Sequence, residues 1–541
     1  MHKVPSQNKT FMESKTFSFD KIPQLAGRDV DYQLKPEKFK DFIAFMPDEK
    51  GIEQAIHARK NKKVDRTLLY NVLSRQYAEV GLSPKQKLHL EKIKDENTFT
   101  VTTAHQPVLF TGPLYYLMKM FSVIRLADDL TKKYPHHHFV PVFINGAEDH
   151  DFEEIQSTSL FQKKIVWETE QKGPVGRFTL QGLHEAFQQF SDILGESPKA
   201  KDIKLLIKNA LDNSSDYNGF TFQLIHGLTS AYGLLYMNMD QPLCKQTFLP
   251  YFEKELFEQK SESLISETQE KLLALGYKPQ AFARKINLFY FTEQGTRNRI
   301  IYEDGVYKVL DTQIIWSENE LKKVLHQNPE NFSPNVVTRP LYQSAILPDV
   351  VFVGGGGEIA YWMERLSQFQ YFDLFFPVLI RRNSAFIIPT GVGKTMHKLG
   401  MEIESFFPDE DKIIHDYIQN TSDNHSYFSQ EQKVLTDSWI RLTEQVVTYD
   451  ITLKGYMEAE KVKLSKMVDH VEQKVIRVLK QQEDQKIQQI KNVKHKLFPN
   501  NGLQERIENM FQYYITENVD IADLLYQTMN PLEKEFKVLF L

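Results

Sequence analysis

The chain has 541 residues, 41% hydrophobic and 25% charged, the balance of an ordinary globular protein with enough apolar material for a large core. Lysine and arginine total 66 against 71 aspartate and glutamate, and the net charge of −5 argues against a bulk electrostatic grip on nucleic acid. One cysteine, Cys244, excludes a disulfide framework within the chain and suits a reducing, cytoplasmic setting, where it reads as an ordinary thiol.

At about 150 residues per domain the length allows three or four units. The opening MHKVPSQNKTFMESK is polar and lacks the apolar stretch of a secretion signal. No run approaches the roughly 18 apolar residues of a membrane span, so no membrane partner is expected.

Residues 50–98 are charged and helix-like. FTVTTAHQ (99–106) begins as a strand rich in β-branched residues, and GPLYYLMKMFSVIRLADDLTKKY (112–134) reads as a helix. Pro113 suits its first turn, and Leu117, Phe121, Ile124, Leu126 and Leu130 give it an apolar side. FVPVFING (139–146) follows as a buried strand, so this stretch is a βαβ unit and predicts a parallel sheet. His136, His137 and His138, at the far end of that strand, read as a solvated loop.

After a polar middle, YGLLYMNMD (232–240) is another buried strand, and 287–310 alternates around the turns EQG and EDG as antiparallel hairpins. VVFVGGGGEIAYWMERLSQF (350–369) is strand, glycine turn and helix, and 377–389 is largely strand. The simplest topology is one α/β domain in two halves with inserted material between them. Residues 441–496 contain no proline, and Leu464, Val468, Val471, Val475 and Val478 step as a heptad seam. That predicts a long helix in a coiled coil, either a self-hairpin or a dimer contact; a long helix packed on its own domain is the plain alternative. LFPNNGLQERIENMFQYY (497–514) is a turn and then a helix.

Two segments imitate nucleotide motifs. GVGKT (391–395) ends like a phosphate-binding loop, but that loop needs a glycine where Ile388 stands, so a glycine turn leading into the helical region is expected. KLSKM (463–467) is similar to the lysine-rich KMSKS loop of class I aminoacyl-tRNA synthetases, yet Leu464 belongs to the heptad seam.

Ligands of open α/β sheets bind beyond the carboxyl ends of the strands, and three segments fit. In TTAHQPVLFTGPLYY (102–116), Thr103, His105 and Gln106 leave a strand, and the turn at Gly112 exposes N–H groups that could hold an anion. His105 could also move a proton near neutral pH. A hydrogen-bonded turn is the plain alternative. In NGAEDHDFEEI (145–155), Glu148, Asp149, His150 and Asp151 are consecutive, with Glu153 and Glu154 close by. Such a cluster serves a general base, an ammonium site or a metal site, or merely an acidic helix start. No second ligand set is visible, so no metal is expected. In GGGGEIAYW (354–362), Gly355 and Gly357 allow close backbone approach before Glu358 and Tyr361 start a helix, or they form only a tight turn. Arg339, Arg381 and Arg382 could pair with carboxylates or phosphates.

Together AHQPVLFTGPLYY, PVFINGAEDHDFEEI, RPLYQSAILPDVVFVGGGGEIAYW and LFPNNGLQER resemble the bacillithiol synthase family, the cysteine ligases termed BshC, from about residue 100 to 510. The family usually reads G-Q-Q at Ala104-His105-Gln106 and has proline at Gly356. The resemblance implies an α/β fold: a Rossmann-like parallel-sheet core related to class I cysteinyl-tRNA synthetase over 1–395, with connecting-peptide insertions at roughly 165–340. It also implies a C-terminal coiled-coil arm over 396–496 that forms a homodimer, and a helical tail over 497–541. The implied reaction adds L-cysteine to the amine of glucosaminyl-malate, giving bacillithiol. Forming an amide in water needs activation, which makes ATP, with magnesium as its usual companion, the expected co-substrate. The resemblance suggests nucleotide binding near the arm and tail, at Gln504, Arg506 and Asn509. The roles expected on this reading place an ammonium, or the attacking amine's proton, at Asp149 and Asp151 beside His150 and Glu148. His105 and Gln106 orient carboxylate or phosphate. Glu358 and the glycine turn, with Tyr361, Arg339 and Arg382, form the opposite wall. A phosphate-loop NTPase, a coiled-coil scaffold and an RNA-directed synthetase are the competing functions, the last needing a basic face.

Overall fold

A computed structural model describes residues 14–421, 425–517 and 519–541. The chain forms two compact units: residues up to Pro389 together with Leu503–Leu541, and Thr390–Gly502.

The first unit is built on a five-stranded sheet. Its order is Val378–Arg381, Asp349–Gly354, Thr98–His105, His138–Asn145, Leu235–Asn238, and every neighbouring pair is parallel. The chain enters in the middle at Thr98–His105, builds outward to one side, then returns to build the other. The order therefore reverses between Thr98–His105 and Asp349–Gly354, the place where open α/β sheets leave a crevice at their carboxyl ends. The inner strands read as near-continuous apolar or threonine runs because both faces are covered. The helix Tyr115–Lys133 follows the first strand and buries Leu117, Phe121, Ile124, Leu126 and Leu130.

Between the halves lie a helical segment and an antiparallel sheet containing Leu288–Phe291, Arg297–Glu303 and Val306–Val309, whose turns place Gly295 and Gly305 at positive φ. A third sheet joins Ser14–Phe17, Phe536–Phe540 and Ala385–Ile388. Residues 377–389 are therefore two strands in two sheets. The break at Arg382-Asn383-Ser384 is where buried side chains bond the main chain: Arg382 donates to the Asn383 carbonyl at 2.8 Å, and Asn383 to the Asn530 carbonyl at 2.8 Å. Of the histidines at 136–138, only His136 is an exposed turn residue; the other two are half-buried and do not form a solvated loop. His138 opens its strand and packs on His89 at 5.2 Å, and His137 packs on Phe99 at 5.5 Å.

In the second unit the expected long helix over 441–496 is broken into parts of His425–Tyr449, Lys454–Gln482 and Asp484–Leu497. After the first, Asp450 caps the turn Ile451–Leu453 by accepting from the Thr452 N–H at 2.8 Å. The two long helices run antiparallel: Trp439 donates to the Met457 carbonyl, and Gln432 lies against Ser465 and Asp469. KLSKM lies inside the helix Lys454–Gln482. TGVGKT opens the helix Thr390–Leu399 and is not a glycine turn; Gly400, at φ +65°, ends that helix.

Candidate active site

A cavity of about 560 Å3 opens at the switch point of the parallel sheet. Its size suits a small-molecule substrate. The turn after His138–Asn145 supplies an acidic wall of Glu148, Asp149 and Glu154, with His150 beside them. Asp149 accepts from the Gln106 amide at 2.8 Å and from the His150 N–H at 2.8 Å. Glu148 pairs with Lys245 at 2.6 Å, a buried lysine that also donates to the Phe332 carbonyl.

Arg297 ties this wall to the inserted sheet. It lies over the Phe289 ring at 4.0 Å and donates to Ser333 and to the Pro334 carbonyl. It also reaches His150 Nδ1 at 2.9 Å and Asp149 at 3.5 Å. A guanidinium can only donate, so His150 Nδ1 accepts and the ring proton sits on Nε2. Burial, then Arg297, holds the His150 pKa below its ordinary value. Burial, then the Asp151 and Asp149 charges, raises that of Glu154.

The opposite wall is basic. Arg339 bonds neutral partners, Gln343 at 3.1 Å and the Tyr361 hydroxyl at 3.2 Å. Arg382 pairs with buried Glu505 at 2.8 Å and lies over the Tyr115 ring at 5.2 Å. Arg506 stands exposed at the same cavity.

Between the walls, buried Lys119 holds Glu358 at 2.5 Å and the Ala104 carbonyl at 2.6 Å. Burial works to raise the Glu358 carboxyl, yet Lys119 and His105 hold it below its ordinary value. Glu358 also takes the Gly355 N–H at 2.9 Å, so that donor of the glycine turn is occupied.

His105 is no proton carrier at neutral pH. Burial and the nearby Lys119 charge push its pKa down to about 4. A carbonyl can only accept, so Nδ1–H donates to the Gln106 carbonyl at 3.1 Å, and Nε2 accepts the Tyr115 hydroxyl proton at 3.0 Å.

The cavity thus gathers His105, Gln106, Glu148, Asp149, His150, Arg339, Gly355, Gly357, Glu358, Tyr361, Arg382 and Arg506. It leaves out five candidates. Thr103 is buried and donates to the Val353 carbonyl at 2.7 Å, lashing two strands together. Gly112 shapes a turn at φ +49°, where a Cβ would lie 2.7 Å from Val108. The helix after it starts only at Tyr115, and the Leu114 N–H is taken by the Glu508 carbonyl, so no open anion nest forms there. Asp151 is exposed and does not line the cavity, although its charge acts on His150 and Glu154. Gln504 bonds both main-chain groups of Ile387, and Asn509 bonds the Phe110 carbonyl and Thr158; both are buried structural ties. Sequence reasoning missed Tyr115, Lys119, Lys245 and Arg297. Tyr115 lies in the segment AHQPVLFTGPLYY without having been singled out in it; Lys119, Lys245 and Arg297 stand in no motif, and only the aromatic-basic texture of the hairpins could have drawn attention to Arg297. Among the described residues, no three of His, Cys, Asp and Glu come together as a metal-binding group.

Two family models account for the chain: the N-terminal Rossmann-like domain of bacillithiol biosynthesis BshC over residues 12–383, and the C-terminal coiled-coil domain of BshC over 385–541. The chain belongs to the BshC family. A Flavobacterium johnsoniae protein named "Putative cysteine ligase BshC" is 35% identical over 515 residues, 94% of this chain and 96% of its own. Relatives of the same name include one from Cytophaga hutchinsonii, 33% identical over 520 residues, covering 95% of this chain and 97% of its own. Another, from Bacillus cytotoxicus, is 26% identical over 513 residues, covering 92% and 95%. The Rossmann-like BshC domain contains every cavity-lining residue except Arg506. At Gly356 an added Cβ would lie 2.3 Å from the Asp29 carboxyl carbon.

Proposed function

We propose that this cavity joins the carboxyl group of L-cysteine to the amine of glucosaminyl-malate, as a nucleotide-dependent cysteine ligase of bacillithiol formation. The observation that carries the reading is the bipolar cavity: carboxylates on one wall and arginines on the other, facing one continuous space of about 560 Å3. Both substrates are themselves bipolar, carrying an amine and carboxylates. Arg339, Arg382 and Arg506 fit carboxylates or a phosphate chain. ATP, when bound, supplies the activated cysteine carboxyl; magnesium would enter with its phosphates.

The chain's own residues do the rest. Asp149, fixed by Gln106 and Arg297, receives an ammonium. Glu154, with its raised pKa, takes the proton the attacking amine must lose. The neutral His105–Tyr115 pair orients groups by hydrogen bonding without changing charge. The exposed apolar residues of the long helices, Val434, Ile440, Leu442, Val462, Val471 and Val478 among them, support a homodimer through this coiled coil. A cytoplasmic setting suits a thiol substrate and product.

The test is direct. Purified protein is incubated with cysteine and glucosaminyl-malate, with and without Mg-ATP, and the ligated thiol is sought by mass spectrometry. Product only with ATP is expected; no product under either condition removes the ligase reading. Sedimentation tests the dimer, and a monomer at micromolar concentration removes it.

A further inference from the structure

Behind the basic wall lies a contact that substrate chemistry alone does not require. The short helix Arg28–Leu34, far from the cavity in sequence, is fastened to the elements that carry the wall. Arg28 donates to the Ala360 carbonyl at 3.1 Å and lies 3.5 Å from Glu364. The Tyr32 hydroxyl donates to the Leu379 carbonyl at 2.8 Å. Between them, Asp29 grips Arg381 with both oxygens, at 2.8 and 2.9 Å.

Asp29 does two things at once. Its carboxylate occupies the space beside Gly356, where an added Cβ would stand 2.3 Å from Asp29 Cγ and 2.5 Å from each oxygen. Gly356 is the first residue of the helix Gly356–Met363, and it lines the cavity. Asp29 does not line the cavity, so it backs the glycine turn from outside the cavity lining. It also starts a chain of contacts to the cavity. Arg381 donates to the Arg382 carbonyl and to Ser384 Oγ, each at 2.7 Å, and Arg382 donates to the same Ser384 Oγ at 3.1 Å. Arg382 in turn lines the cavity.

A carboxylate needed only to neutralise buried Arg381 could stand anywhere around that guanidinium. This one is seated where it also decides how near the glycine turn can come. The pair is well shielded, with the Arg381 side chain fully buried and that of Asp29 17% exposed. A shielded, bidentate pair holds its geometry where a surface pair does not. The residues just before the helix are anchored too, since Ser14–Phe17 pairs with Phe536–Phe540, which in turn pairs with Ala385–Ile388.

We propose that Asp29 is a positioning residue, a latch from the N-terminal segment that fixes the glycine turn and Arg382 and so sets the geometry of the anion-binding wall. The inference rests on the ligase reading only for the identity of the anion. Space is the deciding variable: a side chain at 356 and the carboxylate at 29 compete for one volume.

The experiment uses the full chain with Gly356→Ala, Asp29→Ala, Asp29→Asn and the doubles of Gly356→Ala with each. Malate, as a dicarboxylate probe, is titrated by calorimetry. Ligation kinetics and thermal midpoints are measured on the same preparations. Alanine favours a helix over glycine, so Gly356→Ala is expected to stay folded. It is expected to weaken malate binding and raise KM for the dicarboxylate substrate about tenfold, with kcat changed less. Asp29→Ala makes room, so its double with Gly356→Ala binds malate more tightly than Gly356→Ala alone. Asp29→Asn keeps the volume, so its double stays as defective as Gly356→Ala.

Malate affinity and KM unchanged by Gly356→Ala would overturn the latch. So would a double with Asp29→Ala that merely multiplies the single defects, or rescue in the Asn background. A wild type that binds malate but ligates nothing sinks the ligase reading and leaves the latch to the binding arm. A wild type that binds no malate removes the anion wall, and the latch with it.

Discussion

The two walls of the cavity are assembled on different scales. The acidic wall is one turn, residues 145–155, whose carboxylates are consecutive or nearly so. The basic wall draws Arg339, Arg382 and Arg506 from across the chain. Their supports differ as well. Two buried cations, Lys245 and Arg297, already hold Glu148 and Asp149. Arg339 is held by an amide and a hydroxyl, so its charge is left for a ligand. Arg382, by contrast, is already paired with Glu505. Under the proposed function the acidic wall serves proton and ammonium chemistry, and the basic wall, chiefly Arg339, supplies charge for binding.

The sharpest break of that comparison is Asp149→Asn. Shape is kept, while the charge that faces the ammonium is lost. Turnover should fall about a thousandfold with the thermal midpoint nearly unchanged, measured by product formation beside a melting curve. A defect confined to KM would place Asp149 with the binding wall instead.

On the other wall, Arg339→Ala should act mainly on KM for the anionic substrate, by about thirtyfold, the loss of a charge-assisted bond of about 2 kcal/mol. Gln343 keeps its Nε2 bonds to Thr102 and Asp349, so stability should move little. A loss of kcat at constant KM would contradict the division of labour.

Glu154 gives a smaller effect with a definite sign. It must be deprotonated to take a proton, so kcat/KM should rise as pH rises through its pKa, which lies above the ordinary carboxylate value. Glu154→Gln should cost about tenfold and remove that acid limb. A limb that persists belongs to the substrate amine, which must also be neutral to attack. His105, at about 4, adds no titration near neutrality.

Local pattern made one wall readable and left the other obscure. Glu148, Asp149 and His150 announce themselves because they adjoin at the end of a strand, and the strand itself follows from its apolar run. The glycine turn with Glu358 was visible for the same reason. Arg297, Lys245 and Asp29 carry no such signature: each meets its partner from more than 90 residues away in sequence, a distance that no periodicity spans. The errors have a similar cause. Thr103 and Gly112 stand beside true lining residues, but strand alternation and backbone sterics turn them to other work. Gln504 and Asn509 look like free amides in sequence, yet buried main-chain groups claim both. The seam over 464–478 lies whole in the helix Lys454–Gln482, and of the two expected arrangements the antiparallel helices match the self-hairpin; its turn position was not legible, because it rests on Asp450 capping the turn that follows Tyr449.

The smallest expected effect tests the other unit. Lys394→Ala would abolish ATP use if GVGKT were a phosphate loop, since the lysine of such a loop reaches the phosphates. Here Lys394 lies exposed in the helix Thr390–Leu399, where the main chain is committed to helical bonds rather than wrapped around an anion. Thr395 confirms the geometry by donating its hydroxyl to the Gly391 carbonyl at 2.9 Å, one helical turn back. ATP-dependent ligation by Lys394→Ala should therefore match the wild type within about twofold, the effect expected of an exposed helix position. A loss of ten times that size would move the nucleotide site into the helical unit, and the basic wall would then be left to the substrate carboxylates alone.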